Sequence, residues 1–209
     1  MSTGLVLRCQ WEAYLGCLAS GVQTFNLIGE GFTSFPEAKN PKEYTRKYVN
    51  YQTEKTDVIG YAPSIEYSAD CISDDPVVKE IVDIHENERT GYDTHRDVIS
   101  VNRWQGTPKY TLTTDEDVVA GKVYYTRTGN DPNYVYTKVG NPTAGELGTY
   151  YECELSTTEF AATKRTFAII PGTKGDGTDA LIYTGTMKAV SDIIKGTFNV
   201  TDKSFTPAT

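Results

Sequence analysis

The residues able to do chemistry are few, and their spacing does not suit it. His85 and His95 are the two histidines of this 209-residue chain. They stand ten apart, one on a predicted helix and one beyond it, and a catalytic or metal-binding pair would need partners that the spacing does not supply. Gly175-Asp-Gly-Thr-Asp179 is rich in oxygen ligands but lacks the ligand spacing and distal Glu of an EF-hand. Gly172-Thr-Lys-Gly-Asp-Gly-Thr178 lacks the Gly-Lys-Ser/Thr of a Walker loop. Both read as turns. Asp74, Asp75, Glu80, Asp83, Glu86 and Glu88 could pair for acid–base work, yet they fall along an exposed helical face, and the first two suit the positive helix end. Cys9, Cys17, Cys71 and Cys153 form no CxxC pair, which predicts reduced thiols and production in the cytoplasm rather than a disulfide framework. No nucleophile, base and oxyanion set emerges, and the expectation is a protein that is not an enzyme, with no catalytic residues, metal or cofactor.

The elements that carry these residues centre on 57–71. In Asp57-Val-Ile-Gly-Tyr-Ala-Pro-Ser-Ile-Glu-Tyr-Ser-Ala-Asp-Cys71, apolar Ile59, Tyr61, Ile65, Tyr67, Ala69 and Cys71 alternate with polar Ser64, Glu66, Ser68 and Asp70, the period of a half-buried strand. It runs into a helix. Asp75 can cap the exposed amides, Pro76 suits the first helical position, Val77, Val78, Ile81, Val82 and His85 share a face, and Gly91 can end the helix.

Residues 1–23 read as an arm, because Gly4, Gly16 and Gly21 break up Trp11, Tyr14, Leu15 and Leu18. Arg8, Gln10 and Glu12 interrupt the apolar run there, so no secretory leader is expected. No stretch approaches the ~20 apolar residues that span a bilayer. A short strand at 24–28 and a loop at 29–41 precede a strand at 42–51, which should pair with 57–71 across a turn near 52–55. Strands follow at 96–104, 164–170, 179–190 and 193–200, then a polar tail. Between them, 105–157 changes texture to short Tyr/Thr/Val segments at 121–126, 134–139 and 149–153 separated by Gly, Asn and Pro. The expected organisation is 1–104 and 158–209 as two parts of one β-domain, with 105–157 as a small β-rich insertion.

Several segments together resemble the major tail (tail tube) proteins of long-tailed phages and prophages of Gram-positive bacteria. They are Ile28-Gly-Glu-Gly-Phe-Thr-Ser34, Asn40-Pro-Lys-Glu-Tyr-Thr-Arg-Lys-Tyr48, Thr56-Asp-Val-Ile-Gly-Tyr-Ala-Pro-Ser-Ile-Glu-Tyr67, Ser73-Asp-Asp-Pro-Val-Val78 and Lys174-Gly-Asp-Gly-Thr-Asp-Ala-Leu-Ile-Tyr-Thr-Gly-Thr-Met-Lys-Ala-Val190. The resemblance implies a mainly β fold, a tail-tube-like β-sandwich or half-barrel flanked by a single α-helix. It also implies subunits that form hexameric rings and stack into a hollow conduit for the genome, in a virion tail assembled in the host cytoplasm. Partners would be further copies of the chain, tape measure and tail terminator proteins, and DNA passing without tight binding. The 105–157 block departs from the simplest tail tubes. A monomeric, adhesin-like β-module, binding carbohydrate through the tyrosines of that block, is the alternative.

Charge and edges give the expected sites. The chain carries −8, of which 105–157, with four basic and seven acidic residues, holds −3, leaving −5 elsewhere. Such acidity opposes tight nucleic-acid binding, which relies on Lys and Arg, and a wall of carboxylates would let DNA slide. Glu66 and Asp70 are the candidate lumen-facing residues, although alternation does not say whether their face looks inward or outward. Tyr44, Tyr48, Ile59, Tyr61, Ile65 and Tyr67 are the candidate inter-subunit strand residues, since unpaired strand edges are satisfied when subunits join.

Overall fold

The computed structural model describes residues 6–19, 21–113, 123–130, 134–139, 150–176 and 179–208. The strands in chain order are β1 (Trp11–Ala19), β2 (Val22–Ile28), β3 (Phe32–Ser34), β4 (Glu37–Ala38), β5 (Pro41–Arg46), β6 (Lys55–Tyr61) and β7 (Ser64–Asp70). Helix α1 (Pro76–Glu86) follows, then β8 (His95–Leu112), β9 (Tyr124–Thr128), β10 (Val135–Lys138), β11 (Tyr150–Asp176), β12 (Leu181–Ala189), β13 (Ile194–Asn199) and β14 (Ser204–Pro207). The protein is mainly β with one α-helix among the described residues.

One sheet has the order β2-β1-β8-β11-β12-β7-β3, with β4 also on β7, and β13–β14 and β9–β10 attached through β11; β5–β6 stands apart as a two-stranded sheet. The large sheet curls. β1 and β13 are separated by β8 and β11, about 14 Å in a flat sheet, yet the rings of Tyr14 and Phe198 lie 4.6 Å apart. Inside the curl are Tyr14, Ile99, Val101, Phe160, Ala162 and Phe198, with Phe25 and Phe205 against them. On the other face, Leu15, Ile65, Tyr67, Val98, Phe167, Ile169 and Met187 pack with Val77, Ile81 and Ile84 of α1. Burying each such side chain stabilises by about 1.5–3 kcal/mol.

The expected arm at the N-terminus is instead β1, a central strand buried from Ala13 to Cys17. Because both of its faces are covered, it shows none of the alternation that marks a half-exposed strand. The strand expected over 57–71 is two strands. It breaks at Ala62-Pro63, where the Ala62 amide donates to Asn40 O at 3.0 Å and Pro63, lacking an N–H, cannot continue a ladder. The pairing of the 42–51 strand with the first half is present only in part, as β5–β6, with Pro41 opposite Tyr61 and Arg46 opposite Lys55; 47–51, with Tyr48, belongs to the turn rather than to the strand.

Helix α1 begins as its chemistry dictates: Asp75 accepts from the Val77 and Val78 amides, both at 2.8 Å. It ends at Glu86 rather than near Gly91, with Glu88 already in the left-handed region at φ 46. Its buried face is Val77, Val78, Ile81 and Ile84, while Val82 and His85 are only half-buried. The glycine-rich stretch after Pro171 is strand rather than loop, with Lys174, Gly175 and Asp176 opposite Tyr183, Ile182 and Leu181 after a register shift; Gly177 and Thr178 lie outside the described residues. The expected polar tail contains β14, paired with β13 from Gly196–Pro207 to Asn199–Ser204.

β8 and β11 run without a break through 104–105 and 157–158. Their shared ladder shifts register between Leu155 and Phe160 and again before Ala162. Gly106 sits at that irregularity, where a Cβ would lie 2.5 Å from Ser156 O. Beyond it, β9 pairs with the start of β11, from Tyr150–Thr126 to Glu152–Tyr124, and β10 pairs with β9, with Tyr124 and Tyr150 buried against Val139. The whole of the expected 140–148 loop and part of the 129–132 turn lie outside the described residues.

A second close approach lies at Gly185, paired with Tyr67. A Cβ there would stand 2.3 Å from the Tyr67 hydroxyl and 2.6 Å from Ile170 O. Tyr67 Oη is buried without a hydrogen-bond partner, and burial pushes its pKa up to about 12. Gly185→Ala is therefore expected to lose about 1–3 kcal/mol through overpacking, read as a lowered urea midpoint. An unchanged midpoint would mean that the tyrosine can leave its place freely.

Candidate functional site

The residues singled out as chemically able do not assemble into a centre. His85, on α1, packs edge-on against the Tyr183 ring at 5.2 Å, whereas His95 opens β8 and meets Tyr92 at 5.1 Å. Among the described residues no group of three or more His, Cys, Asp or Glu side chains gathers to hold a metal. The four cysteines are free; burial, first of all, pushes the Cys17 thiol up to about 11, which keeps it protonated and a poor nucleophile at neutral pH. Glu86 receives Lys174 Nζ at 2.7 Å and Tyr183 Oη at 2.8 Å. The lysine bond above all holds its carboxyl below the usual range, so this tie between α1 and the β11–β12 hairpin persists above that range and fades as pH falls through the lowered value.

Among the described residues, the one strongly buried charge pair is structural. Arg96 donates through Nε to Glu80 Oε1 at 2.6 Å and through Nη1 to Asp93 O and His95 O at 2.9 and 2.7 Å. Glu80 Oε2 accepts the Leu18 amide at 3.2 Å. The side chains are 3% and 10% exposed. This set fastens α1 to β1 and β8. Neither charge was legible as a pair in the sequence, since the two are brought together only by the packing of helix on sheet.

What stands out on the surface is an arm. Every residue of β5 is exposed, as is β6 except Gly60. With its turn, the arm exposes Tyr44, Tyr48, Val49, Tyr51, Val58, Ile59 and Tyr61, from 40% at Tyr44 to 108% at Val49. The reason for the arm is local: Thr45 stands directly opposite Thr56, a pair that favours strand pairing, and their hydroxyls meet at 2.9 Å. Yet an isolated two-stranded hairpin is marginal in water, and these seven apolar side chains are left uncovered by the rest of the subunit.

The six candidate inter-subunit residues separate accordingly. Tyr44, Tyr48, Ile59 and Tyr61 lie together on the arm. Ile65 and Tyr67 do not: they are 2% and 3% exposed, in the core against α1. The edges of β7 are also occupied, by β12 on one side and β3 and β4 on the other, so the pairing capacity expected of the whole 57–71 stretch belongs to its first half.

Glu66 and Asp70 fall on the opposite face of β7 from Ile65 and Tyr67, away from α1. Glu66 is exposed and Asp70 half-buried, opposite Thr186 and Ile182 of β12. The same face carries exposed Lys188 and the Asp97 group, in which Asp97 accepts Thr166 Oγ1 at 2.6 Å and Lys164 Nζ at 3.4 Å. It is a mixed polar face rather than a uniformly acidic one.

No known family profile matches the chain, and no curated protein does. Among solved structures it is similar to a chain of the cryo-EM structure of the anti-feeding prophage baseplate, six-fold symmetrised, with 10% sequence identity, coverage of 96% of this chain and 99% of that one, and a TM-score of 0.42. A likeness at that level decides nothing about what the chain does.

Proposed function

We propose that this protein is a non-enzymatic virion component that joins copies of itself into stacked rings, forming the tube of a phage tail. The observation that carries it is the β5–β6 arm: a hairpin with no packing of its own and seven large apolar side chains in solvent is stable only against another surface. The resemblance of the 28–34, 40–48, 56–67, 73–78 and 174–190 segments supplies the phage tail and the six-fold ring; tape measure and tail terminator proteins are the further partners, and the virion the place of residence. Negative-stain microscopy of the purified protein tests it. Tubes or rings are expected, and a monodisperse monomer at all soluble concentrations would refute it.

In this proposal α1 lies outside and the face bearing Glu66 and Asp70 lines the conduit, where carboxylates keep DNA phosphate from sticking. Lys188 and the Lys164–Asp97 pair temper that wall, so its field is weaker than carboxylates alone would give. Replacing both Glu66 and Asp70 with Lys is expected to leave tail morphology intact and to slow or block DNA ejection in a phage background. Normal ejection would remove these two residues from the lumen. The 105–157 block is assigned as a module carried on β8 and β11, its root at the register shift beside Gly106.

The alternative of a carbohydrate-binding, adhesin-like module would rest on the tyrosines of that block. In that block Tyr110 and Tyr136 stack at 3.7 Å, Tyr125 and Tyr151 pack edge-on against them at 5.2 and 5.3 Å, and Arg127 lies over Tyr151 at 4.9 Å. These rings spend their faces largely on one another, which leaves the arm as the better-supported contact.

A further inference from the structure

Arg165 of β11 is an anomaly. Its Nε is buried without a hydrogen-bond partner, and among the described residues its side chain makes no hydrogen bond or ion pair. Beneath it is a small, partly open space of ≈ 10 Å³ walled by Ile65, Val98 and Phe167, with Ser100 and Thr163 also on its lining. Glu37 borders that space too, but its carboxylate is engaged by Lys39. A half-buried guanidinium left in this state is costly unless something completes it. On its open side lies a cleft of ≈ 750 Å³ between the root of the β5–β6 arm and the 189–193 segment, lined by Lys42, Tyr61, Arg165, Val190, Asp192 and Ile193 among others. Lys42 also has no ion pair among the described residues.

We infer that this cleft receives a carboxylate-bearing segment of a second copy of the chain, with Arg165 and Lys42 holding the carboxylate. The inference rests on the proposed self-assembly and names the contact that steadies it. A guanidinium presents parallel donors that match a carboxylate, the ammonium adds a second positive charge, and Tyr61, Val190 and Ile193 form an apolar wall for the stem of an Asp or Glu. Among the described residues Asp192 is the one acidic group on the rim, so two cations outnumber it. Two further facts point to a copy of the chain rather than to a foreign partner. Lys42 and Tyr61 are the first and last parts of the arm, so the cleft continues the surface given above to the neighbouring subunit. With 28 acidic residues against 20 basic ones, copies repel one another overall, and their docking is helped wherever an unpaired cation meets a neighbour's carboxylate.

The test uses assembled full-length protein made from equal parts of unlabelled and ¹⁵N-labelled chains. A zero-length carbodiimide, which joins an amine to a carboxylate only in direct contact, is expected to link Lys42 to an Asp or Glu in peptides of mixed isotope content. Arg165→Leu and Lys42→Glu are each expected to raise the protein concentration needed for half-assembly by about thirtyfold, as loss of one partner of a desolvated charge pair does, with Arg165→Lys recovering part of the loss. Lys42→Glu lies on an exposed strand outside the core, so it reports on assembly even if Arg165→Leu proves unstable. Tubes that form normally, with Lys42 linked only within its own chain or with both variants at the wild-type midpoint, would overturn this inference and leave the tube proposal standing. A wild-type protein that never assembles would overturn both.

Discussion

Glu80→Ala is expected to cost the folded protein about 3–5 kcal/mol, the largest loss of any single surface-remote substitution considered for this chain. The carboxylate is nearly sealed from water and accepts from both Arg96 and the Leu18 amide. Removing it strands a guanidinium that is 3% exposed, with only two backbone carbonyls left to it. Replacing both residues together, as Glu80→Leu with Arg96→Met, should be far milder, since a buried ion pair exchanged for apolar groups of similar volume is often close to neutral. Urea unfolding of the two single variants and the double one measures the difference. A single-variant loss below about 1 kcal/mol would place the pair in the class of solvated surface bridges.

Excising 41–61 and closing Asn40 to Ala62 with a two-residue Gly-containing turn should leave the fold intact and abolish tubes entirely. The ends are already joined: the Ala62 amide donates to Asn40 O at 3.0 Å, and Asn40 Nδ2 donates to Ala62 O at 3.1 Å and to Ser64 Oγ at 2.8 Å. Asn40 also adopts φ 43, the left-handed geometry that a tight turn uses. Since the arm buries nothing in its own subunit, its removal is expected to move the unfolding free energy by no more than about 1 kcal/mol. Sedimentation and microscopy of the shortened chain decide the matter. Tubes of normal yield would show that the exposed tyrosines of the arm serve something other than assembly.

Features whose chemistry is local could be read from the sequence. Asp75-Pro76 fixed the start of α1 because capping involves neighbours three residues away or fewer, and the β5–β6 pairing followed from two alternating runs separated by a short polar turn. What depended on distant partners could not be read. β1 is buried on both faces, so Ala13-Tyr-Leu-Gly-Cys17 shows no period. The break at Pro63 was hidden because Tyr61 and Ile65 keep the same parity on either side of it, although the proline itself was the available signal. β14 is short and ordinary in composition, and only its pairing with β13 makes it a strand. The six contact candidates were split by that same break, four on the arm and two in the core. No pattern in the sequence could announce that Arg165 lacks a counter-ion, because that depends on what fails to reach it in space.

The placement of β1 also sets a timetable. Its first neighbour after β2 is β8, where Glu12 faces Val101, and the ring of Tyr14 is covered only when Phe198 arrives. At roughly 5–20 residues per second of synthesis, the apolar Ala13–Cys17 run would wait on the order of several seconds for β8 and longer for the last strands. During that interval the newborn chain exposes both this run and the tyrosine-rich arm. Completion of the β13–β14 hairpin is thus the moment at which the subunit loses one sticky surface while keeping the other, which the proposed assembly would cover.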